Sequence, residues 1–276
     1  MTVIDWQAVD RAAEYRSRPR SWSQLSSWEQ CPKAFYLERI LQVWQRPAAW
    51  FSTGNAVHKA VELLETEGLD EQATLAAAQR VYREDVNERL VETPNPDAWS
   101  ASGRYKGSSD IPRRYEKLPE HLDNYRAMRV KLPPIIELTG KPAVEEELSI
   151  ELDGVTVHGF ADQIREGLVV DVKAGSTVPK DTSQLRLYAM AVEDNGGPVI
   201  EKAVFLMTAT GRVLEYAFAD GEVTPDQIAR RFKTMDDAVK ASDFDPTPGD
   251  QCRRCSVWAS CTEGKAHTTE ARQSRR

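Results

Sequence analysis

Three consecutive β-strand patterns joined by two tight turns constrain this chain more than any other feature. Residues 144–152 (VEEELSIEL) alternate in character, Asp153-Gly154 marks a turn, and VTVHGFADQI follows as a second strand. Glu166-Gly167 then turns the chain into LVVDVK, a short apolar run typical of a buried strand. The sequence therefore predicts a sheet whose third strand is buried.

The segments around this sheet are predicted as helices and further strands. Helices are expected after Ser23, after Ser52-Thr53-Gly54, over about residues 71–92, over residues 182–196 and from Thr224-Pro225. Two more strands flank Thr210-Gly211, and residues 93–119, rich in Pro, Gly and Ser, predict a long irregular loop. This order predicts an α/β or mixed α+β core with an N-terminal helical extension.

Two acids and a lysine are predicted to converge at one edge of the sheet. Asp162 ends one strand, Asp171 lies near the end of the next, and Lys173 lies two positions on, on the same face as Asp171. Such carboxylates bind Mg²⁺ or Mn²⁺, the carbonyl of Val172 can join them, and the lysine can stabilise charge on a phosphodiester. The alternative is a salt bridge in a surface hairpin, although Asp and Lys are costly in an otherwise apolar strand.

Three other polar residues each have two interpretations. His58 lies at the edge of the apolar stripe of its predicted helix and is structural unless that helix packs beside the hairpin. Gln184 and Tyr188 lie four residues apart and share a helix face. A capping role for Gln184 and a core position for Tyr188 explain this pair as well as a functional role does.

The four cysteines have a 1+3 arrangement, Cys31 and then Cys252-x2-Cys255-x5-Cys261. A zinc ribbon uses two CxxC pairs instead. Four thiolates that join an N-terminal helix to a C-terminal loop suit an iron–sulfur centre, with structural zinc as the alternative.

Composition restricts the partners and the compartment. The chain has 36 Lys and Arg against 43 Asp and Glu, a net charge of −7, so bulk attraction to DNA is not expected. Residues 101–134 nevertheless hold eight basic against four acidic residues, which allows a local basic groove. No secretory signal and no apolar run long enough for a membrane span is found, so we expect a cytoplasmic protein with reduced thiols.

Six motifs in order make the chain resemble the PD-(D/E)XK nucleases of the RecB and AddB type, especially the CRISPR-associated members with a [4Fe–4S] cluster. The motifs are LSSWEQCP, GNAVH, GFADQI, DVK, QLRLY and FDPTPGDQCRRCSVWASC. The resemblance covers nearly the whole chain, although Asp171 stands where many cluster-bearing members have Glu. It implies a restriction-endonuclease-like mixed sheet flanked by helices, with a C-terminal iron–sulfur loop.

The resemblance also implies a role for each matched residue. The implied ligands of Mg²⁺ or Mn²⁺ are His58, Asp162, Asp171 and the Val172 carbonyl. The implied catalytic residues are Lys173, Asp162, Asp171, Gln184 and Tyr188. The implied ligands of a structural [4Fe–4S] cluster are Cys31, Cys252, Cys255 and Cys261. One further acid is expected from the upstream strand, where Glu145, Glu146 and Glu147 remain open.

The expected function is a metal-dependent DNA exonuclease that acts on single strands or DNA ends, and family analogy favours 5′→3′ polarity. The basic segment would follow phosphates, and Trp99, Tyr105 or Tyr115 would stack on bases. An endonuclease or nickase of the same chemistry is the first alternative. The second is a non-catalytic DNA-end-binding subunit of a repair or CRISPR adaptation complex. Helicase, recombination or CRISPR adaptation proteins are the expected partners.

One nuclease domain is expected over residues 1–261. Its helical part would cover about residues 21–135 and its catalytic sheet core about 143–240, with the cluster closed by residues 31 and 252–261. Residues 262–276 are expected to form a flexible tail. The chain has no GxxxxGK[ST] loop and is not expected to hydrolyse ATP.

Overall fold

The computed structural model describes residues 6–138, 140–218 and 223–273, and all statements on structure refer to them. In chain order the helices are α1 (Trp6–Ser17), α2 (Trp22–Gln30), α3 (Pro32–Phe35), α4 (Ala49–Glu67), α5 (Glu71–Glu92), α6 (Gly107–Glu116), α7 (Leu118–Arg129), α8 (Ser183–Asp194), α9 (Pro225–Ala241) and α10 (Thr262–Gln273). The strands are β1 (Glu137–Leu138), β2 (Lys141–Pro142), β3 (Val144–Leu152), β4 (Val155–Arg165), β5 (Leu168–Lys173), β6 (Lys202–Met207) and β7 (Arg212–Ala217).

A mixed five-stranded sheet has the order β3-β4-β5-β6-β7. Strand β5 pairs antiparallel with β4 and parallel with β6, and β6 pairs antiparallel with β7. Asp153 and Gly154, which join β3 to β4, both have positive φ (50° and 76°), as a two-residue hairpin turn of the primed type requires. Helix α8 provides the crossover that the parallel β5–β6 pair needs. The predicted mixed α/β fold with a central sheet is confirmed.

The chain divides into two compact units. The first comprises Met1–Arg46, Glu151–His158 and Ala229–Arg276, and the second comprises Pro47–Ile150 and Gly159–Ile228. We call them the terminal unit and the nuclease unit. The terminal unit is assembled from distant parts of the sequence, so the linear motif order could not indicate it.

The core of the nuclease unit lies between helices and one face of the sheet. The predicted apolar stripe of α4 is confirmed, because Val57, Ala60, Val61 and Leu64 are all buried. They form one cluster with apolar residues of α5, α7, β5 and β6. This packing holds the long helices against the strands that carry the predicted acids.

The terminal unit is built around a buried arginine. Arg20 is 1% exposed, and its Nε donates a hydrogen bond to Asp236 Oδ1 at 2.9 Å, which provides the charge partner that a buried cation requires. Phe244 stacks on Tyr36 with ring centroids 4.8 Å apart and on Phe35 at 6.2 Å. These contacts join the two ends of the described chain.

Two predicted helix boundaries are wrong. Helix α4 begins at Ala49 rather than after Gly54, and Thr53 Oγ1 donates to the Ala49 carbonyl within it. Helix α2 is capped by Ser21, whose side chain accepts from Gln24 N, rather than by Ser23. The predicted interruption at Pro32 is confirmed, since α2 ends before it and α3 begins with it.

The irregular loop predicted over residues 93–119 is also wrong, because α6 and the start of α7 lie there. The fully buried carboxylate of Asp110 accepts hydrogen bonds from Arg113 and Arg114 and stabilises α6 despite Pro112. Tyr82 Oη donates to the Ile111 carbonyl at 2.8 Å and fixes the same helix from α5. Tertiary contacts therefore override the local turn composition.

Residues 262–273, expected to be part of a flexible tail, form α10. Trp258 Nε1 donates to the buried Thr268 Oγ1 at 3.1 Å, so this polar helix has an anchor that its composition does not indicate. Residues 274–276 of the expected tail lie outside the described residues. Among the helices of the described chain, none is long and apolar enough to cross a membrane.

Candidate active site

The two predicted aspartates lie side by side on neighbouring strands. The antiparallel register pairs Gln163 with Val170, which places Asp162 opposite Asp171. Asp162 Oδ2 accepts a hydrogen bond from the backbone N–H of Val172 at 2.6 Å. Both carboxylates thus lie directly beyond the last paired residues of β4 and β5.

Lys173 lies beside Asp171, as its spacing predicts. Its Nζ donates to Asp171 Oδ1 at 2.9 Å and to Gln184 Oε1 at 3.3 Å. The same Nζ is 2.7 Å from Asp171 Oδ2, close enough for an ion pair but without hydrogen-bond geometry. The lysine is therefore oriented by two groups, one on its own strand and one on α8.

Gln184 and Tyr188 extend this arrangement along α8. Gln184 Nε2 donates to Tyr188 Oη at 3.2 Å, so the two residues predicted to share a helix face are in contact. Burial raises the pKa of Tyr188, and the nearby acids raise it further against the effect of Gln184. A Cβ atom on Gly159 would lie 2.9 Å from the Tyr188 ring, which explains why the GFAD motif needs glycine here.

His58 and Glu145 complete the site from α4 and β3. His58 Nδ1 lies 3.5 Å from both Glu145 Oε1 and Asp162 Oδ1. One ligand atom from each of these three residues lies within 4.8 Å of the other two. Of the three glutamates that the sequence left open, Glu145 is therefore the one at the site. Its φ of 49° is uncommon for a residue other than glycine.

The crowding of acids perturbs the titration of the site. Burial alone would lower the pKa of His58, but the charges of Asp162, Glu145 and Asp171 outweigh it and raise the pKa to about 9. Burial raises the pKa of Asp162 to about 7, and the charges of Asp171 and Glu145 oppose the lowering effect of His58. A cation is thus favoured among these acids. A histidine ligates a metal in its neutral form, so metal binding here requires His58 to lose its proton.

The donor set fits a hard divalent cation. Carboxylates of Glu145 and Asp162 offer oxygen, and His58 offers one imidazole nitrogen, a combination suited to Mg²⁺ or Mn²⁺. Asp171 Oδ2 is buried and has no hydrogen-bond partner among the described residues, so it remains available as an acceptor. The role of the Val172 carbonyl stays a prediction.

A family comparison agrees with this geometry. The model of the PD-(D/E)XK nuclease superfamily matches residues 19–262, which include every residue of the site. This chain belongs to the PD-(D/E)XK nuclease superfamily. The superfamily uses divalent metals, and the acids and lysine of this PD-(D/E)XK site have the residue types that such chemistry requires.

Two phage proteins and one solved structure are similar to this PD-(D/E)XK chain over most of its length. The gene 69 protein of Mycobacterium phage D29 is 36% identical and is aligned over 88% of this chain and 96% of its own length. The gene 69 protein of Mycobacterium phage L5 is 34% identical, with 88% and 95% covered. A crystal structure from Eubacterium rectale named "Putative exonuclease" matches with a TM-score of 0.52 and 14% identity, covering 92% of this chain and 93% of that one, and so shows a shared fold.

The four cysteines of this PD-(D/E)XK chain all lie in the terminal unit. Cys31 separates α2 from α3 and is the only one from the N-terminal part. The sulfurs of Cys252 and Cys261 accept N–H bonds from Gly249 and Gly264 at 3.5 and 3.3 Å. Burial raises the pKa of Cys255, and the thiol charges of Cys261, Cys252 and Cys31 raise it further.

The basic segment differs from the expected DNA groove. Trp99 is only 4% exposed and its Nε1 donates to the Thr93 carbonyl, so the expected stacking role for Trp99 is wrong. The guanidinium of Arg113 lies 4.4 Å from the ring centroid of Tyr105, and the hydroxyl of Tyr115 accepts from Arg83 at 2.6 Å. Some of the basic and aromatic side chains that were expected to contact DNA thus make contacts within the protein.

Proposed function

We propose that this chain is a metal-dependent DNA exonuclease of the RecB and AddB type. It hydrolyses phosphodiester bonds of single strands or DNA ends with 5′→3′ polarity. The convergence of His58, Glu145, Asp162, Asp171 and Lys173 on one site carries the proposal. The exonuclease description of the Eubacterium rectale structure, which has the same fold, agrees with it.

The site has a metal-binding part, which is mostly anionic, and a cationic part, which is Lys173. His58, Glu145, Asp162 and Asp171 would hold the cation. A divalent ion bound there supplies a water nucleophile at neutral pH and neutralises charge on the phosphate. Lys173, held between Asp171 and Gln184, orients the attacking water or stabilises the developing negative charge. Tyr188 keeps Gln184 in place for this purpose.

The same proposal includes a structural [4Fe–4S] cluster on Cys31, Cys252, Cys255 and Cys261. Its support is the presence of all four free cysteines in the terminal unit and the N–H bonds to the sulfurs of Cys252 and Cys261, which are common tuning contacts of iron–sulfur ligands. Four cysteine ligands leave no open coordination position, so the cluster joins Cys31 to residues 252–261 rather than taking part in hydrolysis. Metal analysis of protein purified without oxygen distinguishes iron with sulfide from zinc.

Degradation of DNA labelled at either end tests the proposal. Wild type is compared with Lys173→Ala in Mn²⁺, Mg²⁺ or EDTA, and Lys202→Ala, which removes an exposed lysine of β6, is the matched control. We expect metal-dependent loss of label with wild type and Lys202→Ala, and a rate at least about 100-fold lower with Lys173→Ala. The end that loses its label first gives the polarity.

Two outcomes would replace the proposal. Cutting of closed circular DNA would identify an endonuclease or nickase. No cleavage by folded wild type, together with DNA-end binding that is the same with and without Mn²⁺, would identify a non-catalytic subunit. In that case Lys173→Ala would change nothing.

A further inference from the structure

A closed ring of buried polar side chains links α4, α7 and β4 within the nuclease unit. Tyr125 Oη donates to Glu65 Oε1 at 2.5 Å, and Gln163 Nε2 donates to Tyr125 Oη at 2.6 Å. Arg165 Nε then donates to Gln163 Oε1 at 2.9 Å, and Arg165 Nη2 lies 3.5 Å from Glu65 Oε1. The ring therefore begins and ends at the carboxylate of Glu65.

Most polar atoms of the ring have a partner despite their burial, although Arg165 Nη2 makes only the ion pair with Glu65 and no hydrogen bond within the described residues. Arg129 Nε lies 2.8 Å from Glu65 Oε1, and its Nη2 donates to Glu65 Oε2 at 3.0 Å. Arg165 Nη1 donates to the Pro133 carbonyl at 2.8 Å. The side chains of Glu65 and Arg165 are each only 5% exposed, so these contacts replace lost hydration. Burial raises the pKa of Tyr125, as does Glu65, and this keeps its hydroxyl protonated as the donor.

Two of the three elements that the ring joins carry residues of the site, His58 on α4 and Asp162 on β4. Glu65 follows His58 by seven residues, which is two turns of α4 and the same helix face. Gln163 directly follows Asp162 on β4. The ring thus ties α4 to β4 near the place where His58 Nδ1 lies 3.5 Å from Asp162 Oδ1. A movement of α4 along the sheet would break the ring and would also change the distance between His58 Nδ1 and Asp162 Oδ1.

Burying the Glu65 carboxylate with the Arg165 guanidinium is an inefficient way to stabilise a core. Apolar residues of similar volume are often as stabilising or better, whereas directional polar contacts fix one register. An apolar surface would permit α4 to shift by fractions of an ångström, but the hydrogen bonds of Glu65 do not. The ring therefore fixes the register of α4 on the sheet.

We infer that Glu65 is a positioning residue: through the ring it sets the distance between His58 and Asp162, and with it the affinity of the site for a divalent cation. This inference rests on the proposed function, because it assumes that these two residues bind the metal. It concerns affinity for the ion in the absence of DNA. Supporting contacts around metal ligands commonly change metal affinity by about 10- to 100-fold.

Mn²⁺ binding, measured by electron paramagnetic resonance without DNA, tests the inference in a double-mutant cycle. Glu65→Gln keeps the shape but removes the charge, and we expect it to weaken Mn²⁺ binding about tenfold. In a His58→Ala background the same change should weaken binding by less than about twofold, because the residue through which Glu65 acts is gone. Equal losses in both backgrounds would overturn the inference.

A matched control separates positioning from loss of stability. Asp85 on α5 accepts from Ser52 and Asn55 of α4 and pairs with Arg89, so Asp85→Asn weakens a polar tie of α4 that does not involve β4. We expect Asp85→Asn to lower the free energy of unfolding but to leave Mn²⁺ affinity within about twofold of wild type. A loss as large as that of Glu65→Gln would overturn the inference.

A second variant covers the case in which Glu65→Gln does not fold. Tyr125→Phe opens the ring by removing one hydroxyl and leaves the charges in place, and it should weaken Mn²⁺ binding about two- to tenfold. Wild-type affinity in this variant would overturn the inference. If wild type itself does not bind Mn²⁺, or binds it as well after Asp162→Asn, the proposed metal site is wrong instead.

Discussion

The buried imidazole of His121 predicts a specific loss of stability in mild acid. His121 lies on α7, is 7% exposed, and has Nδ1 2.8 Å from Thr208 Oγ1. Burial lowers the pKa of His121 to about 4. The charge of Glu120 raises this pKa, whereas the charges of Arg114 and Lys117 lower it further. The folded protein therefore keeps this ring neutral at a pH where the unfolded chain protonates it.

The sign and size of the effect follow from proton linkage. The ordinary histidine pKa is about 6.5, so the stabilising contribution is complete above that pH and decreases as the pH falls from about 6.5 to about 4. At pH 5.0 the loss amounts to about 2 kcal/mol, and below pH 4 it reaches a limit of about 3 kcal/mol. The proton taken up by the unfolded chain is the whole cause.

Urea unfolding at pH 7.5 and pH 5.0, followed by far-ultraviolet circular dichroism, measures this difference. The replacement His121→Asn cannot titrate, yet its amide can still bond Thr208 Oγ1. Between the two pH values, the free energy of unfolding of wild type should fall by about 2 kcal/mol more than that of the variant. An equal fall in both proteins would refute the reasoning, because it would mean that the folded state accepts the proton as readily as the unfolded chain.

Three further predictions concern other parts of the molecule. Gly159→Ala should displace the Tyr188 ring, cost about 1–3 kcal/mol of stability and lower nuclease activity. Gly175→Ala, where a Cβ meets open space, should change neither stability nor activity. Urea unfolding and end-label assays check both variants. Asp110→Asn removes the buried partner of two arginines of α6 and should destabilise the nuclease unit by about 1–3 kcal/mol in urea unfolding; wild-type stability would contradict it. Cys255→Ser should bleach the proposed cluster and lower solubility, and a brown, soluble variant by visible absorption would show that the ligand set is wrong.

The part of the site that lies on consecutive strands was predictable from the sequence. A two-residue turn and the period of two along a strand fix which residues are opposite, and Asp162, Asp171 and Lys173 follow from those rules alone. Helix spacing predicted only that Gln184 and Tyr188 share a helix face, and they are in contact. Local geometry thus decided the three positions on the strands, whereas the resemblance was needed to assign Gln184 and Tyr188 to the site.

The rest of the site depends on contacts between distant residues. Three glutamates in a row gave no basis for selecting Glu145, which is distinguished by its left-handed backbone and by His58, 87 positions earlier in the chain. Burial of Trp99 likewise depends on how the segment after α5 packs. The helix α6 forms because Asp110 is enclosed with its arginine partners, and no local pattern indicates that enclosure.

The assembly of the terminal unit from both ends of the described chain has a consequence for biosynthesis. Ribosomal synthesis proceeds from the N-terminus, and compact units generally fold as they emerge. Residues 47–228 leave the ribosome before Asp236, the partner of Arg20, and before the last three cysteines. The residues of the nuclease unit, including those of the site, are thus all synthesised before the partners of Cys31 in residues 252–261, so the proposed cluster would be inserted in the final stage of maturation.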